Sequence, residues 1–124
     1  MFEQAVAMHQ QGQLNMAQMV YQTVLQLDES FYPALHMMGV VAAQMHDFPR
    51  AADLISKAIA VYPADPVAHF NLANAFKDMG RFSEALNSYN AAITLKPDYV
   101  EAYSNRGNAL KASGNLLGAI ASYD

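Results

Sequence analysis

The sequence predicts an all-α solenoid of stacked helix hairpins, and three observations predict it. The first is a period. Ala17, Ala51, Ala85 and Ala119 recur every 34 residues, and other columns keep step with them. Ala5, Gly39, Ala73 and Gly107 are all small; Tyr21, Ile55, Tyr89 and Tyr123 are all large. Residues 66–90 and 100–124 are identical at 9 of 25 aligned positions, so the repeat lies in the sequence itself and not only in its hydrophobic pattern. The second observation is helical spacing of apolar residues within each period, as in Leu72, Ala73 and Phe76 or Ala85, Leu86, Tyr89, Ala92 and Ile93. The third is punctuation: glycine or a tolerant residue at each turn (Gly12, His46, Gly80, Gly114) and proline at unit ends (Pro63, Pro97). One amphipathic hairpin leaves an apolar face bare, and a periodic chain covers it with the next copy.

The elements follow in order. Helices are expected at about 1–11, 14–27, 31–45, 48–61, 65–79, 82–95, 99–113 and 116–124. In the first unit Gln4 stands where the third has Leu72, and Glu29 replaces the closing proline, which marks a degenerate, trimmed or N-terminal capping unit. Pro33 and Pro49 fall in the first turns of the third and fourth helices, where the missing N–H costs nothing. Asp65 and Pro66 supply an N-cap and a first-turn proline for the fifth. Gly80 ends that helix in the left-handed conformation, and Pro97 stops the sixth. His46 takes the turn position that glycine holds in the other units, and histidine tolerates positive φ better than most residues. Arg106 departs from the Leu72 column. The eighth helix stops before the positions matching Ala92, Leu95 and Pro97, so the natural chain is expected to continue with more repeats; the alternative is that a partner or a second copy covers that end. The whole is expected to be a single domain of units 1–31, 32–65, 66–99 and 100–124.

Composition narrows function. With 124 residues, 53% hydrophobic and 15% charged, the chain is globular and not disordered. It has no apolar run long enough for a membrane span, and MFEQAVAMHQ lacks the basic start and apolar core of a signal peptide. Cysteine is absent, which removes thiol nucleophiles and thiolate metal sites and suits a reducing, cytoplasmic setting. A net charge of −4 disfavours nucleic acid as a partner. No phosphate-binding loop, catalytic triad or carboxylate pair can be placed in one pocket, and the four histidines show no metal-ligand spacing. The expected protein is no enzyme and has no cofactor, no metal and no catalytic residue.

These columns resemble the tetratricopeptide repeat (TPR), a 34-residue helix–turn–helix unit that stacks into a right-handed superhelix. Ala73, Gly80, Ala85, Tyr89, Ala92 and Pro97 carry the likeness, with copies at Gly39, Ala51, Ala58 and Pro63 and at Gly107, Gly114, Ala119 and Tyr123. It covers the whole chain as nearly four units. The strings SNRGNALK and NAAITLKPDYVEAYSN also resemble the TPR arm of O-linked N-acetylglucosamine transferases and related bacterial TPR proteins. The resemblance implies a scaffold that binds a partner protein or an extended peptide in its concave groove, lined by the first helix of each unit.

By that likeness the groove columns read Glu3, Met37, Asn71, Asn105; then Val6, Val40, Asn74, Asn108; then His9, Ala43, Lys77, Lys111. The expected peptide-binding residues are Asn71, Asn74, Lys77, Asn105, Asn108 and Lys111, with Met37, Val40 and Phe70 adding apolar surface. An asparagine amide carries both a donor and an acceptor, which suits a peptide backbone of any sequence. The bland alternative is that these are solvated polar faces. Seven of the eight methionines precede residue 46; Met8, Met16, Met19, Met38 and Met45 are expected to fill the core and Met37 to face the groove. Two further readings remain: self-association through the uncapped C-terminal helix, and a non-catalytic arm of a larger enzyme such as a glycosyltransferase.

Overall fold

The computed structural model describes residues 1–114. Seven helices occupy them: α1 (Phe2–Gln10), α2 (Leu14–Leu27), α3 (Tyr32–Gln44), α4 (Phe48–Val61), α5 (Pro66–Asp78), α6 (Phe82–Leu95) and α7 (Val100–Ala112). There is no strand among the described residues. Each helix lies within a residue of its expected bounds, and the differences fall on caps. Asp65, for example, stands outside α5 because its Oδ1 accepts the Val67 N–H at 2.9 Å. The expected eighth helix lies outside the described residues.

The turns inside the hairpins repeat to the atom. After α1, α3 and α5 the residue in the left-handed region is Gly12 (φ 78°), His46 (φ 63°) and Gly80 (φ 74°). The N–H of the following residue reaches back to the third-last helical carbonyl: Gln13 to Met8 (2.9 Å), Asp47 to Ala42 (2.8 Å) and Arg81 to Phe76 (2.9 Å). This is a Schellman cap, and it satisfies carbonyls that would otherwise be orphaned where the chain reverses. His46 therefore keeps the glycine geometry at a steric cost.

The chain divides into two compact units, Met1–Pro63 and Ala64–Asp124. In the first, α2 packs on α1 and α3, and α3 packs on α4. Ala5, Ala17, Tyr21, Ala34, Val41, Ala51, Ile55 and Ala58 are completely buried. Small residues set the helix separation. A Cβ added at Gly39 would lie 2.5 Å from Ile55 Cγ1 and 3.3 Å from the Ala51 carbonyl oxygen, so only glycine admits this approach of α3 to α4. In the second unit α6 packs on α5 and α7 around Ala73, Ala85, Tyr89, Ala92, Tyr99 and Ala102.

One sequence expectation needs amending. Met38 is buried as expected, but Met16, Met19 and Met45 are 50%, 68% and 41% exposed. Core filling fails for them because Ala17, Tyr21 and Ala42 already occupy the inward positions of their helices. Arg106, odd in an apolar column, is accommodated: its guanidinium lies 5.3 Å from the centre of the Tyr103 ring and donates to Asn90 Oδ1 on α6 at 2.7 Å.

Candidate functional site

Within the second unit, α5 and α7 are the first helices of successive hairpins, and both pack on α6. Each carries Asn, Asn and Lys at intervals of three: Asn71, Asn74 and Lys77 on α5, Asn105, Asn108 and Lys111 on α7. Asn105 Nδ2 donates to Asn74 Oδ1 at 2.9 Å, so the two helices are joined amide to amide. The same Asn74 oxygen accepts the Tyr89 hydroxyl from α6 at 2.5 Å. Tyr89 is completely buried. Burial pushes its hydroxyl well above the ordinary tyrosine range, the Asp78 carboxylate adds to the rise, and the Asn105 amide opposes it. A neutral phenol thus anchors one side chain on each of two neighbouring helices.

The remaining expected residues are distributed as follows. Asn71 and Lys77 are half-buried, and Asn108 and Lys111 are exposed. Phe70 is half-buried and held by aromatic neighbours, 6.2 Å from Tyr89 and 5.0 Å from Tyr99 between ring centres, so its ring belongs largely to the packing of this unit. Met37 and Val40 lie on α3 in the first unit, both half-buried. Asn74 and Asn105 are brought together, and their first role is to satisfy one another and Tyr89.

That role went unread in the sequence, though a signal was present. The large residue of each second helix has a partner fifteen positions earlier, as Tyr89 has Asn74. The corresponding pair is Ile55 with Val40, apolar with apolar, and then Tyr21 with Val6, a phenol with no acceptor. The Tyr21 hydroxyl is accordingly buried without a hydrogen-bond partner among the described residues.

Other chemistry is thinly represented. Among the described residues no three of His, Cys, Asp or Glu converge as metal ligands. His36 is buried beside Tyr32, 5.8 Å between ring centres, and His9 pairs with Gln44 at 2.7 Å. A depression of about 250 Å³ in the first unit is lined by Gln18, Ala42, Met45, Asp47 and Arg50. Its one acid, Asp47, is engaged as the N-cap of α4, accepting from the Arg50 N–H at 3.3 Å. No helix among the described residues is long and apolar enough to cross a membrane.

Comparison with known proteins agrees with the repeat reading. The family described as TPR repeat matches residues 73–114, and the family described as tetratricopeptide repeat matches residues 36–77. The TPR repeat-containing protein YpiA of Bacillus subtilis (strain 168) is 32% identical over 71 residues, which is 57% of this chain and 17% of that protein. The chain thus matches about a sixth of the length of this curated relative. Among solved structures, MamA superposes with a TM-score of 0.95 at 22% identity over 98% of this chain and 71% of its own. MamA from Desulfovibrio magneticus gives 0.95 at 19% identity, over 98% and 69%. An O-GlcNAc transferase from Thermobaculum terrenum gives 0.82 at 28% identity, over 88% of this chain and 21% of that one. Repeats of this kind commonly serve as protein-interaction modules. With the 34-residue period, the shared Schellman turns and the two family matches in agreement, the chain belongs to the tetratricopeptide-repeat proteins.

Proposed function

We propose that this chain is a scaffold that holds an extended peptide segment of a partner protein along the face carrying Asn71, Asn74, Asn105 and Asn108, and that it does so without chemistry. The Asn105–Asn74–Tyr89 chain of hydrogen bonds carries the reading. A ligand-binding amide is worth most when its orientation is set before the ligand arrives, because ordering it then costs nothing on binding. Asn74 uses its oxygen inward, and its amide NH2 has no partner among the described residues. Helices packed roughly 8–10 Å apart meet an extended chain about every third residue, at roughly 3.3 Å per residue. Lys77 and Lys111 add positive charge at one end of the rungs, which favours an acidic segment or a terminal carboxylate.

The test is a screen of unstructured peptides followed by calorimetry on wild type and the Asn71→Ala/Asn105→Ala double variant. About tenfold or greater loss of affinity with unchanged helical circular dichroism is expected. Equal affinity in both proteins would remove the asparagine face from the account. A second reading is favoured by the O-GlcNAc transferase likeness, in which the aligned region is 21% of a much longer chain. In that reading this module is the recognition arm of a larger protein, and the peptide it holds is delivered to a domain elsewhere in that protein.

A further inference from the structure

We propose a second interaction surface, independent of the asparagine face: the outward side of α2, where two copies of this chain meet antiparallel. Met16, Met19, Thr23 and Leu27 form a line along the side of α2 opposite Ala17 and Tyr21, the residues it buries. Met16, Met19 and Leu27 are 50%, 68% and 76% exposed. The columns of Met16 and Met19 are polar in the next two repeats, Arg50 and Asp53 on α4 and Glu84 and Asn87 on α6, and Asp53 pairs with Lys57 at 3.1 Å. The Leu27 column stays apolar and exposed as Val61 and Leu95. Among the described residues, only the first hairpin places thioethers in the Met16 and Met19 columns, and methionine is the side chain that adapts to another apolar surface.

The occupant follows from charge. α2 contains no ionisable group other than the buried Tyr21 phenol, so a second α2 can lie against it without stranding a charge. Its ends are mismatched to its own dipole. The N-terminus has no side-chain cap and no acid in its first turn, and the C-terminus has no base in its last turn and runs into Asp28 and Glu29. Acids at the negative end and nothing at the positive end disfavour the isolated helix. An antiparallel partner repairs both faults, setting each Asp28–Glu29 pair beside the other copy's bare N-terminus, with Met16 opposite Leu27 and Met19 opposite Thr23. A 14-residue helix is about 21 Å long. A pairing of that length buries less than the roughly 1,200 Å² of a stable complex, so the dimer is transient.

Sedimentation velocity of the chain from about 10 μM to about 1 mM, the range where such small interfaces form, should show the mass rising from 13.6 kDa toward its double. Met19→Asp should weaken association about tenfold or more. The fold tolerates this change, because Asp53 already occupies the column, exposed, on α4. Because the chain has no cysteine, single Met16→Cys and Leu27→Cys variants report orientation without background. Mixed together they should form the heterodisulfide faster than either forms a homodisulfide. Three outcomes would overturn the proposal. One is a monomer at every concentration, which leaves the face to a different protein. Another is a Met19→Asp dimer as tight as wild type, which places self-association elsewhere, the C-terminal end included. The third is faster homodisulfide formation, which indicates a parallel pairing.

Discussion

Tyr21 and Tyr89 hold the same place in their repeats, are both completely buried, and differ in one atom's surroundings. The Tyr89 hydroxyl donates to Asn74, whereas the Tyr21 hydroxyl has no partner among the described residues. A buried hydroxyl without a partner costs about 1–3 kcal/mol. Tyr21→Phe is therefore expected to stabilise the protein by about 1 kcal/mol, and Tyr89→Phe to destabilise it by about the same, because the second change also strips Asn74 of a donor. Urea denaturation of the two variants should show opposite shifts; shifts of one sign would contradict the pairing. Alkali acts at both positions, because burial raises the Tyr21 hydroxyl as well as that of Tyr89. Burial raises the Tyr89 hydroxyl above the tyrosine value of about 10, so the unfolded chain gives up that proton first. The stability it contributes is whole below about pH 10 and is lost as the pH rises beyond that value. Tyr89→Phe should flatten the fall in stability measured between about pH 10 and pH 12.

At the level of helices and turns, what was legible in the sequence is what glycine, proline and aspartate spell locally. Gly12, Gly80, Pro33, Pro49 and Asp65 act within one turn of their own position, and the helix bounds they mark agree with the structure to a residue. His46 was legible as the non-glycine occupant of a left-handed turn because its column holds glycine elsewhere. The exposure of Met16 and Met19 was not read, since methionine suits both core and surface. Comparing their columns with Arg50, Glu84, Asp53 and Asn87 would have shown it. Pairing across helices was the least legible. Asn74 reads as a surface amide until the rotation of α5 and α6 about their axes is known, because an asparagine looks the same whether it faces a tyrosine or a ligand. The close approach of α3 and α4 gives this scale its prediction. Gly39→Ala puts a methyl 2.5 Å from Ile55 Cγ1, and Ile55 is fully buried with nowhere to retreat. A loss of about 1–3 kcal/mol is expected. The double variant Gly39→Ala/Ile55→Val should recover part of it, because valine lacks the Ile55 Cδ1, which lies 3.2 Å from the added methyl and limits how Ile55 can yield. No recovery would mean that the separation of these helices is set by something other than this contact.

For the molecule as a whole, the two units carry different surfaces. The first shows an uncharged methionine line on α2, and the second an asparagine–lysine face on α5 and α7. The proposed scaffold uses the second face for its peptide and the first for its own copy, so the two activities are separable by variants. Met19→Asp should leave peptide affinity unchanged, and the Asn71→Ala/Asn105→Ala pair should leave self-association unchanged. The central claim is that side-chain amides anchored to Tyr89 hold the backbone of an extended peptide. Nuclear magnetic resonance of the asparagine side-chain NH2 groups, recorded while a selected peptide is added, tests it most directly. The Asn71, Asn74, Asn105 and Asn108 amides are expected to shift together and saturate at one affinity, while the Gln22 and Gln26 amides on α2 stay still. Saturable binding that leaves those four amides unmoved would contradict it.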